Sequence, residues 1–141
     1  MRRHASAIWQ GDLKSGKGSI SSESGALEAR PYSFSTRFES ERGTNPEELI
    51  AAAHAGCYSM ALSHELAGAG LNPTSVETKA TVTLVQVEGG FAISKVHLDV
   101  VAKVPGADQA RFDEIAAAAK TGCPVSKVLK AEITMAATLE A

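Results

Sequence analysis

The sequence predicts an α+β fold with largely antiparallel sheets and one long central helix, in the order βββ-α-ββ-α-α-β. Three observations carry this. Period-two alternation recurs at residues 5–9, 32–38, 76–84 and 133–139. A helical run without proline spans residues 49–66. Turn-forming residues sit where hairpins need them, at 11–18 and 88–90, which suits antiparallel pairing better than βαβ crossovers.

In chain order, residues 5–9 alternate small or apolar with polar, and the stretch 11–18 carries three glycines and two lysines, a hairpin loop. Residues 19–22 continue as a short polar strand. The alternation of residues 32–38 reads as a third strand, with Tyr32, Phe34, Thr36 and Phe38 on one face and Arg37 on the other with Ser33 and Ser35. Asn45 is a good N-cap, Pro46 suits the first helical position, and Glu47 and Glu48 favour the positive end of the dipole. Along this helix Leu49, Ala53, Gly56, Cys57, Met60 and His64 recur at helical spacing, and Gly68-Ala69-Gly70 with Pro73 ends it. Glycine inside a helix costs about 1 kcal/mol relative to alanine, so Gly56 suggests close approach by another backbone or a site.

A long hairpin follows. Val76, Thr78, Ala80, Val82 and Leu84 share a face, and Glu88-Gly89-Gly90 turns the chain. Phe91 and Ile93 have one parity and Val96, Leu98 and Val100 the other, which suggests a bulge near Ser94-Lys95 or a strand buried on both faces. Residues 108–120 form a second helix, broken by Thr121-Gly122. Cys123-Pro124 opens a short helix through Leu129, and residues 133–139 form the last strand.

At 141 residues the chain suits one domain. Hydrophobic residues are 44 %, but 24 of them are alanine, so the core is thin and an oligomer is expected. The charge of −2, with 14 basic against 16 acidic residues, excludes a nucleic-acid backbone binder. No run approaches 18 apolar residues, so no membrane span is expected. The residues after Met1-Arg2-Arg3-His4 alternate instead of forming an apolar run, which is not a secretory signal. Two cysteines in such a chain fit the reducing cytoplasm, where a pair is catalytic, redox-active or simply buried.

Cys57, in mid-helix, gets no help from a helix terminus and needs a cation to ionise; as a bland alternative it is a buried structural cysteine. Cys123, at an N-cap before Pro124, is the thiol that local backbone groups favour as thiolate. Arg37 is either a solvated surface residue or a cation of the kind Cys57 needs. His54 and Cys57 are three apart on one helix face and His64 is two turns further, but no C-x-x-C or H-E-x-x-H pair supports zinc. A His54–Cys57 nucleophile pair lacks a third group to orient the histidine. Gly16-Lys17-Gly18-Ser19 lacks the spacing and strand-then-helix context of a phosphate loop.

Three blocks resemble the OsmC/Ohr family of thiol-dependent organic hydroperoxide reductases: Gly43-Thr44-Asn45-Pro46-Glu47-Glu48-Leu49, then Ala52-Ala53-His54-Ala55 with Cys57, then Gly122-Cys123-Pro124-Val125-Ser126. Trp9-x-Gly11-Asp12, Tyr32-Ser33-Phe34 and Thr36-Arg37-Phe38 are more similar to the osmotically inducible OsmC branch than to Ohr. Gly56 and Tyr58 stand where the family often has Ala and Phe. The resemblance implies a single OsmC-like domain over residues 1–141, forming an intertwined homodimer around two central helices. It implies Cys57 as peroxidatic thiol, Cys123 as resolving thiol joined to it in a disulfide, and Arg37 and Glu47 as the activating pair. It further implies an organic hydroperoxide substrate, a dithiol reductant such as a lipoylated protein, no metal, flavin or haem, and a role in oxidative and osmotic stress. The rival reading is a dimeric binding protein for small apolar ligands with structural cysteines.

Overall fold

Ser33 decides the first departure from this expectation. Its Oγ accepts from the Thr36 amide at 3.3 Å, and its own amide donates to Thr36 Oγ1 at 2.8 Å. This reciprocal cap starts a helix in the middle of the expected strand. In the computed structural model, which describes residues 1–140, the order is β1 (Ala5–Gln10), β2 (Lys17–Ser22), β3 (Arg30–Tyr32), α1 (Phe34–Phe38), α2 (Pro46–Gly68), β4 (Ser75–Val87), β5 (Gly90–Lys103), α3 (Gln109–Gly122), α4 (Pro124–Val128) and β6 (Glu132–Glu140). The alternating aromatics that read as a strand are instead an i,i+4 pair on α1, with the Phe34 and Phe38 rings 4.9 Å apart.

Contacts divide the chain into two compact units, Met1–Leu49 and the remainder from Ile50. In the first, β1, β2 and β3 form an antiparallel sheet in that order. Gly18 on the middle strand pairs with Trp9 on one side and Tyr32 on the other. With no side chain between them, those two rings meet, centroids 5.4 Å apart. Asn45 caps α2 through its Oδ1, which accepts the Glu48 amide at 2.8 Å, and its Nδ2 donates to Thr36 O at 3.1 Å.

The second unit holds the sheet β4-β5-β6. A two-residue turn, Glu88-Gly89, joins β4 to β5, with Gly89 at φ +86°. The register slips between Thr83 and Leu84, so Thr83 faces Lys95 while Leu84 faces Ile93. Ser94 is therefore the extra residue of a bulge, as the parity change indicated. It returns Ile93 to the face of Val96, and Val96, Leu98, Val100 and Ala102 are buried beneath α2 and α3 residues Tyr58, Leu62, Leu66, Phe112, Ile115, Ala116 and Ala119.

Three details differ from the sequence reading. β6 pairs parallel to β5, so the connection through α3 and α4 is a crossover and not a hairpin. α3 is not broken at Thr121-Gly122 but runs through Gly122, and the Cys123 amide still donates to Ala119 O at 2.9 Å. The buried face of α2 is His54, Tyr58, Leu62 and Leu66, whereas Ala53, Gly56, Met60 and His64 are exposed. An alanine-rich helix is weakly amphipathic, and the large residues that fill the sheet-side layer, not the small apolar ones, set its rotation.

A methyl group at Gly18 would sit 2.6 Å from Ile8 O, 2.6 Å from the Tyr32 ring and 2.8 Å from the Trp9 ring. Gly18→Ala is therefore expected to destabilise the chain by about 1–3 kcal/mol. Urea unfolding followed by Trp9 fluorescence measures this; an unchanged midpoint would contradict the packing described.

Candidate functional site

The four residues singled out from the sequence fall into two pairs. In the first unit, Arg37 lies in the last turn of α1 and Glu47 in the first turn of α2. Arg37 Nη2 donates to Glu47 Oε1 at 2.8 Å, and Nε lies 3.2 Å from both carboxylate oxygens. This is a forked, charge-assisted contact that a lysine could not reproduce. The Glu47 side chain is only 12 % exposed against 35 % for Arg37, so the carboxylate is held inside and the guanidinium keeps an open edge. The Arg37 carbon also stands 5.2 Å over the Phe38 ring. Beside it lies a cavity of about 240 Å³, lined by Trp9, Leu13, Tyr32, Phe34, Phe38 and Arg37 itself. The sequence reading had Arg37 pointing away from the aromatic face. The helical turn of α1 brings it to the same cavity.

In the second unit, Cys57 of α2 and Cys123, between α3 and α4, lie side by side as free thiols. Cys123 is completely buried and Cys57 partly exposed. Their surroundings separate them. Burial pushes the Cys57 thiol up, the Val125 amide offsets part of this, and the neighbouring Cys123 adds to the rise. Burial also acts to raise Cys123, but the amides of Ser126 and Val125, the Cys57 thiol and the Ser126 hydroxyl outweigh it and bring Cys123 below the ordinary thiol range. No capping hydrogen bond closes on the Cys123 sulfur, so the amides act as nearby dipoles and not as formal caps.

Two further residues belong to this cluster. His54, one turn before Cys57, is fully buried, and its Nε2 lies 2.7 Å from Ser126 Oγ on α4. Its Nδ1 finds no hydrogen-bond partner among the described residues. Burial depresses the His54 pKa. Tyr58, fully buried next to Cys57, donates to Ala116 O of α3 at 3.1 Å, and burial followed by the charge of Cys123 pushes its phenol far above the usual range. The sequence offered His54, Cys57 and His64 at spacings a metal could use but without a supporting ligand pair; in the structure His64 is exposed and His54 turns to Ser126. The signal that could have found this contact was present, because both residues lie in the quoted blocks, but 72 positions separate them and no local spacing links them.

Residues 39–138 match the family model described as OsmC-like protein, and the chain belongs to that family. It is 57 % identical over 135 residues to peroxiredoxin OsmC of Escherichia coli (strain K12), covering 96 % of this chain and 94 % of that one. Identity to the organic hydroperoxide resistance protein OhrB of Bacillus subtilis (strain 168) is 29 % over 117 residues, covering 82 % and 84 %. These values place the chain in the OsmC branch. The crystal structure of B. subtilis OhrB superposes with a TM-score of 0.68 at 26 % identity, covering 97 % of this chain and 98 % of that one. An OsmC-like protein of unknown function from Vibrio cholerae shares the fold at 16 % identity, with a TM-score of 0.76 and coverage of 97 % and 99 %. The α+β fold class read from the sequence is that of these proteins.

The buried neutral His54 makes a stability prediction. The unfolded chain takes up a proton on this imidazole below about pH 6.5, while the folded chain resists it. The unfolded state then binds more protons, so stability falls as the pH drops through that window, by up to about 1.4 kcal/mol per pH unit. Denaturant midpoints for the native chain and His54→Gln, taken from pH 7.5 to 5, should converge at the acid end; parallel curves would contradict a neutral buried imidazole.

Proposed function

We propose that this protein is a cysteine-based peroxidase that reduces organic hydroperoxides to alcohols in hydroperoxide defence. The observation that carries the reading is the meeting of Cys57 and Cys123 in one cluster although 66 positions separate them. Family membership and the relatives' names, peroxiredoxin OsmC and organic hydroperoxide resistance protein OhrB, agree with it. In the proposed cycle the Cys57 thiolate attacks the distal peroxide oxygen of R–O–OH. The O–O bond breaks, ROH leaves after taking up a proton, and Cys57 carries a sulfenic acid. The Cys123 thiolate attacks the Cys57 sulfur, the S–S bond forms and hydroxide departs as water. A dithiol then reduces the disulfide through a mixed disulfide on the more exposed Cys57.

Cys57 needs assistance in this scheme. A thiol with a pKa near 8.5 is only a few per cent ionised at pH 7, and two units of depression require about 2.7 kcal/mol of preferential thiolate stabilisation. Within its own unit burial and Cys123 push the other way. The Arg37–Glu47 fork is the proposed source of that stabilisation, and the aromatic cavity beside Arg37 is the proposed seat of the substrate's alkyl group, worth about 0.8 kcal/mol per buried CH₂.

Helix geometry favours delivery of the fork from a second copy. α2 is unbroken from Pro46 to Gly68, so the chain does not fold back at Gly56. Ten residues on one helix cover about 15 Å of axis and end about 80° around it, so Glu47 does not reach Cys57 along α2. The exposed strip Ala52, Ala53, Gly56 and Met60 offers a face of small residues with one long apolar side chain, and open space surrounds the Gly56 Cβ position. Antiparallel packing of two such helices in a homodimer brings Glu47 of the partner subunit toward Cys57.

Cys57→Ser should lose turnover entirely. Cys123→Ser should complete one round of sulfenic acid formation, trapped with dimedone, and then stop. Equal loss of the single round in both variants contradicts the assigned roles. Mixing Cys57→Ser with Glu47→Ala under subunit exchange should restore activity, because one site of each heterodimer is then intact. No recovery, with exchange established by native mass spectrometry, means that each site is built from one chain.

A further inference from the structure

We propose that His54 is a positioning residue for Cys123: its Nε2–H donates to Ser126 Oγ and thereby turns the Ser126 hydroxyl toward the Cys123 sulfur. His54 is fully buried, and Nδ1 has no partner among the described residues, while Nε2 stands 2.7 Å from Ser126 Oγ. A neutral imidazole carries its proton on one nitrogen or the other. A proton on Nδ1 would bury an unpaired N–H, which native interiors seldom tolerate. A proton on Nε2 leaves only an unshared lone pair at Nδ1 and makes Nε2 the donor.

That tautomer fixes the direction of the next link. With its oxygen accepting from His54, the Ser126 hydroxyl is free to donate its own proton elsewhere. Ser126 is the third residue after Cys123, which occupies the cap position before α4, and in that geometry the third side chain lies back over the cap residue. The same helical turn is closed by the Lys127 amide on Cys123 O at 3.0 Å. The Ser126 hydroxyl is among the groups that favour the Cys123 thiolate. The other titratable groups bearing on that sulfur are Cys57 and Tyr58, both from α2. Tyr58 gives its proton to Ala116 O. The chain of donors therefore runs from α2 through α4 to the buried sulfur, and His54 acts in its neutral form.

The consequence for turnover rests on the peroxidase reading above. When a dithiol thiolate attacks the Cys57 sulfur of the disulfide, the S–S bond breaks, its electron pair passes to Cys123, and a mixed disulfide is left on Cys57. The Ser126 hydroxyl is in place to stabilise that leaving thiolate, and a better-stabilised thiolate leaves faster.

The test needs neither peroxide nor reductant, so it is independent of that reading. In a Cys57→Ser background Cys123 is the sole cysteine, and thiolate absorbance near 240 nm reports its titration. Adding Ser126→Ala or His54→Phe should raise the midpoint by about one pH unit, a tenfold smaller thiolate fraction on the acid side. His54→Gln, whose amide can donate to Ser126 but cannot titrate, should keep the midpoint within about 0.3 pH units of the background. An unmoved midpoint in Ser126→Ala overturns the proposal. Because His54→Phe can fail to fold, a second measurement uses the unaltered reduced chain: long-range ¹H–¹⁵N NMR should show His54 protonated at Nε2. A spectrum of the Nδ1–H tautomer, or of a charged ring at pH 7, overturns it equally.

Discussion

The contact between Cys57 and Cys123 is the constraint around which the second unit is organised. It needs α2 and the α3–α4 junction held together over the sheet by residues distant in sequence. Tyr58 does much of this. Its ring is fully buried next to Cys57, and its hydroxyl reaches across to Ala116 O on α3, one helix before Cys123. His54 makes the corresponding reach on the preceding turn, to Ser126 beyond Cys123. The junction is thus gripped from both sides by α2, and each grip uses a polar atom whose burial would otherwise be costly. Removing the Ser126 hydroxyl leaves the fully buried His54 Nε2 without this partner.

The chemistry then divides between unequal thiols. Cys123 has backbone amides and a hydroxyl around it, and it is fully buried. Cys57 is partly exposed and is held in its neutral form by its own surroundings. In the proposed cycle this inequality is useful. The exposed sulfur meets both peroxide and dithiol, and the buried one leaves as a stabilised thiolate. In that proposed cycle Cys57 needs a cation from elsewhere, for which the Arg37–Glu47 fork of a second copy is the proposed source. Ionisation of Cys123 favoured by its helix cap and attack by Cys57 implied by the family resemblance belong to two different steps of the proposed cycle.

Much of the fold was legible because its signals are local. The cap at Asn45, the Glu88-Gly89 turn and the parity change at Ser94 each rest on a few adjacent residues. α1 was missed because Tyr32, Phe34, Thr36 and Phe38 satisfy period two as well as an i,i+4 pair; the Ser33–Thr36 cap was the local signal that separates them. The parallel pairing of β6 has no local signal at all, since it depends on where α3 and α4 return the chain. The rotation of α2 was misjudged because alanine supplies helical periodicity without deciding which side is buried. The pairing of the two cysteines came from resemblance, and the His54–Ser126 contact came only from three dimensions.

A thiol count with disulfide mapping on the reduced protein after one equivalent of cumene hydroperoxide tests the Cys57–Cys123 cycle most directly. Loss of both thiols per chain, one equivalent of cumyl alcohol, and a single non-reduced peptide joining Cys57 to Cys123 within one chain are expected. Two thiols remaining, with the hydroperoxide unconsumed, would contradict the cycle and leave a binding protein with structural cysteines.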